Sequence, residues 1–245
     1  MTSIARSKNI QTETVPLMKK NVLFLTAALA FALIGGANAQ TTINRTIAAA
    51  TDDMELRNGS LDNGSSDLEL GNDNGTRPNT VALRFTNITL NAGATVTDAY
   101  IQFTGDELSD LSADSAPATT NFVLKGIAAA NPATFSTTDA TEIANFVRTT
   151  ATVNWTTVPS WGVDARTTNE RTPNLAPLIT EIIALGGWAS GNSIGFIVEA
   201  SSVAPISERT AYSFERAITT TPAFAPELVV TFNTPASAGD WAMYN

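Results

Sequence analysis

Along most of the chain, apolar and polar residues alternate. The stretch TVALRFTNITL (80–90) puts Val81, Leu83 and Phe85 on one face and Ala82, Arg84 and Thr86 on the other. TVTDAYIQFTG (95–105) aligns Ala99, Ile101 and Phe103 in the same way. The segments at 121–129, 150–155, 193–200, 210–215 and 226–232 share this period of two, and Asn, Gly, Asp and Pro separate them. Alternation broken by turn residues predicts half-buried antiparallel strands. About eight to ten such strands exceed what one open sheet with a single buried face accommodates well, so two sheets must pack face to face. The expected fold is all-β: a two-sheet antiparallel, jelly-roll-like sandwich.

Two segments break the period. DATEIANFVR (139–148) starts with Asp139 and has Glu142 three residues on, a capping-box spacing ahead of Ile143, Phe146 and Val147. NLAPLITEIIALGG (174–187) sets Leu175, Leu178, Ile179 and Ile182 at helical spacing. Asn174 can cap it, Pro177 falls in its first turn and Gly186 can end it. Both are expected as short helices in connections of the sandwich. They do not alternate with every strand, which disfavours a parallel βαβ sheet.

The ends and the composition add compartment. MKKNVLFLTAALAFALIGGANA carries Lys19 and Lys20, an apolar run from Val22 to Ile34, and Ala37 and Ala39 as an A-x-A cleavage pattern. That is the form of a bacterial secretory signal, and the run is short of the ~20 residues a spanning helix needs. Residues 1–39 are read as the signal peptide, with Met18 as its expected start, 40–232 as one β-sandwich domain and 233–245 as a tail bearing Trp241 and Tyr244. The expected location is outside the cell. The chain has no cysteine, so disulfides do not hold it and no lipoprotein anchor forms. The first 39 residues hold four of the 14 basic residues and one of the 23 acidic ones, which leaves ten against 22 in the domain and tail. Such a surface repels phosphate backbones and anionic lipid, so neither nucleic acid nor a membrane is an expected partner.

Much common chemistry is missing. With no histidine, Ser–His–Asp and Cys–His catalysis and the usual zinc sites are out of reach. GNSIG (191–195) matches the G-x-S-x-G elbow, but that elbow needs a strand before the serine and a helix after it. Here the order is reversed. Paired carboxylates could serve a glycosidase, yet nothing in the sequence selects a pair. The chain is therefore expected not to be an enzyme.

The strongest lead is TDDMELRNGSLDNGSSDLELGNDNG (51–75), with seven carboxylates and one arginine. It repeats itself: Asp53-Met54-Glu55-Leu56 and Asp67-Leu68-Glu69-Leu70 both read acid, apolar, acid, leucine. As strands, each would turn its two acids to one face and its apolar residues to the core. Asp53, Glu55, Asp67 and Glu69 would then face one another, a penalty that a structural calcium ion would reverse through its six to eight oxygen ligands. Asp52, Asp62 and Asp73 could complete the shell. The competing reading is a solvated acidic face partly neutralised by Arg57 or Arg84. No EF-hand or β-roll calcium spacing is present.

The pieces SSDLELG, ALRFTNITLNAGATVTDAYIQFTGDE, ERTPNLAPLITEII, GGWASGNSIGFIVE and RTAYSFE resemble a secreted bacterial module of the DNRLRE-like or carbohydrate-binding-module-like kind. The resemblance implies a β-sandwich displayed outside the cell as an accessory rather than a catalyst. The function expected is a non-catalytic module that binds extracellular glycan or matrix. Sugar sites use aromatic platforms, which makes Trp155, Trp161 and Trp188 the candidate ligand residues, unless they pack as core. The alternative is a self-assembling subunit of a filament or surface layer, built through the N-terminal strand TTINRTIAAA (41–50) or the aromatic tail. A hydrolase using carboxylates alone is the third reading.

Overall fold

The computed structural model describes residues 39–72, 78–106, 119–201 and 207–234. Residues 1–38, where the signal peptide is expected, Asp73, and the tail with Trp241 and Tyr244 lie outside the described residues. The strands are β1 (Ala39–Thr46), β2 (Asp53–Arg57), β3 (Ser60–Asp62), β4 (Asp67–Asn72), β5 (Thr80–Phe85) and β6 (Thr95–Gln102). They continue with β7 (Thr120–Gly126), β8 (Val153–Val158), β9 (Ile194–Ala200), β10 (Ser207–Tyr212) and β11 (Glu227–Thr234). Three short helices join them: α1 (Glu142–Asn145), α2 (Ala176–Ile183) and α3 (Phe214–Thr219).

The fold is the all-β antiparallel sandwich that the alternation predicts. One layer has six strands in the order β3-β2-β5-β9-β7-β8. Against it lie a three-stranded sheet, β1-β11-β6, and the pair β10-β4, which a bridge between Gly105 and Ala211 connects. The main core runs between the layers. Val81, Leu83 and Phe85 of β5 and Phe196 and Val198 of β9 meet Leu68 and Leu70 of β4, Ile101 of β6 and Val230 of β11. Leu178, Ile179 and Ile182 of α2 join the same core. Gly126 of β7 is fixed by that helix, because a Cβ there would come within 2.7 Å of Ile182 Cδ1.

The six-stranded layer is covered on part of its other face too, around β2, β5 and β9. Met54, Ala82 and Ile197 pack under Ile127, Phe135 and Ile143 of the long β7–β8 connection. Helix α1 adds one buried apolar side chain to this second cluster. Its apolar side chain Ile143 is held by the sheet beneath, and the turn before it is closed by Asp139, whose carboxylate accepts from Thr141 N–H at 2.8 Å. At α2 the expected Asn174 accepts from Ala176 N–H at 2.8 Å, and Pro177 occupies the first turn. The strand expected at 210–215 ends at Tyr212, since the Ser213 hydroxyl accepts from Arg216 N–H at 3.2 Å and starts α3.

The three tryptophans are core. Trp155, Trp161 and Trp188 are 6%, 1% and 8% exposed. Phe103 stacks on Trp161 at 5.8 Å and on Trp155 at 6.2 Å, and Phe122 closes on Trp155 at 5.4 Å. Trp161 and Trp188 donate their indole N–H groups to the carbonyls of Asn169 and Leu90. They therefore form no open platform, which corrects the ligand assignment made from sequence. Each sits near a loop in sequence, but the loops turn these rings inward, where a large apolar ring is most stabilising.

Trp155→Ala is expected to destabilise the fold by about 3–5 kcal/mol, as loss of a buried aromatic does. Val147→Ser, at a side chain 72% exposed, is expected to change stability by less than about 0.5 kcal/mol. Urea unfolding followed by fluorescence of the remaining tryptophans measures both.

Candidate functional site

The acidic stretch folds as β2, β3 and β4, as its self-similarity suggests; in β4 Leu68 and Leu70 face the core as expected, but in β2 the acids point the other way. In the ladder, Asp53 lies opposite Leu83 and Glu55 opposite Val81. Directly opposed residues share a face, and both partners belong to the main core. Asp53 and Glu55 therefore face the interior, at 3% and 0% exposed. Met54 goes to the second cluster instead. Alternation cannot reveal this, because both faces of this layer are covered.

Backbone donors hold both carboxylates. Glu55 Oε2 accepts from Glu69 N–H at 2.7 Å. The N–H of β4 thus pairs with a side chain of the facing layer at the edge away from β10. Asp53 Oδ2 accepts from Phe214 N–H at 2.8 Å. Arginines neutralise the neighbouring acids. Arg57 pairs with Glu69 at 2.5 Å, and Arg84 pairs with Asp52. Glu55 Oε1 remains buried with no donor.

Between these strands and the start of α3 lies a cavity of about 10 Å³. Asp53, Glu55, Asp62 and Glu215 line it together with Asn63, Ser65 and Ser213. Among the described residues no basic side chain is in the lining, which Met54 and Leu68 complete. Of the four expected ligands, the cavity takes Asp53 and Glu55. Glu69 adjoins it through Glu55, and Asp67 turns away to accept from Ser65 Oγ at 2.8 Å. Glu215 was missed in the sequence, where RTAYSFE reads as a strand. The signal that could have found it is Ser213, a capping residue ahead of the helix-forming run FERAIT. As the side chains stand, no three acids among the described residues come together at metal-ligand spacing.

Burial and crowding push these carboxyls upward. Asp53 is raised to about 7, first by burial, with the charges of Glu215 and Asp52 adding to it against the Phe214 N–H. Glu55 is held well above the carboxylate range by burial, then by a hydrogen bond and like charge shared with Glu69. Glu215 is raised chiefly by burial. Without a cation the cluster is a place where protons are kept.

A second polar arrangement lies on the outer face of the β1-β11-β6 sheet. Tyr100 pairs with Val229 there, away from the core residues Ala99 and Ile101. The Arg171 guanidinium stacks 3.9 Å from the Tyr100 ring centre, and its Nε donates to Gln102 Oε1 at 3.2 Å. Arg166 and Asn44 both donate to Glu227 alongside, at 2.7 and 2.8 Å. Ser193 of the G-x-S-x-G match precedes β9 and is 4% exposed, with its N–H donating to Asn131 Oδ1.

The raised Asp53 gives a pH dependence of definite sign. Its ordinary value is 3.8 and its folded value about 7, so the folded state holds the proton more tightly. Its contribution is complete below pH ~4, falls as pH rises toward ~7 and is level above, a loss of roughly 4 kcal/mol. In chelator, Asp53→Asn keeps an acceptor for Phe214 and is expected to flatten this decline and to be the more stable protein at pH 8. Thermal unfolding from pH 4 to 8 measures it.

No protein-family model matches the chain, and no curated protein matches it. The likeness to DNRLRE-like modules therefore rests on the sequence pieces quoted above.

Proposed function

We propose that the chain is an exported, non-catalytic β-sandwich module that binds extracellular glycan or matrix. The observation that supports this reading best is the row on the outer face of the β1-β11-β6 sheet: Tyr100 under Arg171, flanked by exposed Asp98 and Asn44. A guanidinium held flat on an aromatic ring, with a few fixed acceptors beside it, offers the planar donors and acceptors that orient sugar hydroxyls. This row replaces the tryptophans as the ligand face. Among the described residues no helix is long and apolar enough to cross a membrane. The acidic balance of the chain favours neutral or cationic polymers over anionic ones.

A second reading, self-association, is favoured by β1. It pairs with β11 from Ala39 to Thr46, so it is docked rather than loose. It is nonetheless an edge strand, with Gln40, Thr41, Thr42, Asn44 and Thr46 exposed. Such an edge can accept or exchange a strand with a second copy. Concentration-dependent sedimentation, with or without residues 39–46, tests it. A strict monomer at high concentration removes this reading.

Affinity electrophoresis through a panel of neutral polysaccharides tests the main proposal. Tyr100→Ala and Arg171→Ala are each expected to weaken retention about tenfold, roughly 1.4 kcal/mol. Retention by none of the panel, or retention unchanged in both variants, removes the glycan reading.

A further inference from the structure

We propose that the groove between α2 and the start of β6 binds an aromatic peptide side chain, and that its occupant is Trp241 of the same chain. The groove has a volume of about 280 Å³. Ala94, Val96, Thr180, Ile183 and Ala184 line it, together with Gly93 and Thr95. None of these described lining residues is charged, so the groove suits an apolar group rather than an ion. A cavity of about 150 Å³ receives one benzene ring, so this one takes the two fused rings of an indole. It is open at one side, where a Cβ on Gly93 would meet no described atom within 4 Å.

The sheet register selects the occupant. Asn233 of β11 pairs with Thr95, and Thr95 itself lines the groove. On the opposite edge of β6, Thr172 and Leu175 donate their N–H groups to Ile101 and Ala99, on the way into α2. One strand therefore separates the end of β11 from the far wall of the groove, a step of ~5 Å. Thr234 is followed by Pro235, which has no N–H to give to a neighbouring strand. PASAGD (235–240) is small or polar, and Trp241, Met243 and Tyr244 come next. The seven residues from Pro235 to Trp241 reach at most ~25 Å, several times the distance to be crossed. So short a tether gives the indole an effective concentration in the millimolar range, above that of a second copy in dilute solution. Docking ties the end of β11, the middle strand of its sheet, to α2. The groove shares no residue with the Tyr100 row, so its test is independent of glycan binding.

The test is limited chymotrypsin digestion of the full chain, with mass spectrometry following the cut after Trp241. That bond is expected to be cut about tenfold more slowly in the wild type than in Thr180→Glu, which sets a charge on the groove wall. Position 180 is exposed and glutamate is a good helix former, so the variant folds. Ala184→Lys, also exposed and at the C-terminus of α2 where a cation is favoured, is expected to act in the same way. Trp241→Ala is expected to lower the unfolding midpoint by roughly 2–4 °C, and to leave the midpoint of Thr180→Glu unchanged. Equal cutting in the wild type and both variants would overturn the assignment. So would a Trp241→Ala effect that persists in Thr180→Glu, because the ring would then dock elsewhere. Protection that rises with protein concentration would also overturn it, by giving the groove to the tail of a second copy.

Discussion

Glu55 stitches the two layers together through a buried hydrogen bond. It stands on β2 in the six-stranded layer and accepts a backbone N–H from β4 in the other. The Arg57–Glu69 pair reinforces the seam from outside. Elsewhere the layers are held by Phe, Leu, Ile and Trp side chains, which tolerate small shifts. A buried hydrogen bond to a carboxyl does not, because misalignment leaves a polar group in a dry interior. Glu55 thus helps fix β4, while Asp53 holds the start of α3 through Phe214 N–H. On the far side of the pair, Arg209 does similar work. It is fully buried and donates to the carbonyls of Val158, Pro159 and Glu208, anchoring β10 to the end of β8.

Most strands were legible because one face of each is apolar at period two. Those from β5 to β7, β9 and β11 fall where the alternation puts them, within a few residues. The misses share a cause. A layer covered on both sides carries apolar residues on both faces, so the pattern at Met54 identifies a strand and not its orientation. In α3 a single turn of capping chemistry at Ser213 overrides what reads as the end of a strand. Helix α1 spans only Glu142–Asn145, and of the expected stripe Ile143 and Phe146 reach the second cluster while Val147 is exposed.

The candidate site was legible by composition and not by geometry. Asp53 and Glu55 were identifiable as a cluster from the repeat of acid, apolar, acid, leucine. That they face inward depends on where the β7–β8 connection folds, some 75 residues further on, and no local pattern encodes it. The tryptophans failed for a related reason. A ring beside a loop in sequence is free to turn either way, and Trp161 and Trp188 turn inward because carbonyls of Asn169 and Leu90 accept their N–H groups there. Tyr100 lies in a strand whose alternation already placed it outside, and the arginine above it comes from 71 residues away.

The order of β1, β11 and β6 has a consequence for how the molecule comes into being. The last described strand is the middle strand of this sheet, with the first described strand on one side of it. Neither neighbour has its full ladder until the C-terminal segment arrives. During synthesis, β1 emerges before the other described strands and must wait for nearly the whole domain before it finds its partner. This sheet therefore closes in one late step. The same delay leaves β1 open to the β11 of another molecule, so dilution during maturation favours the correct pairing.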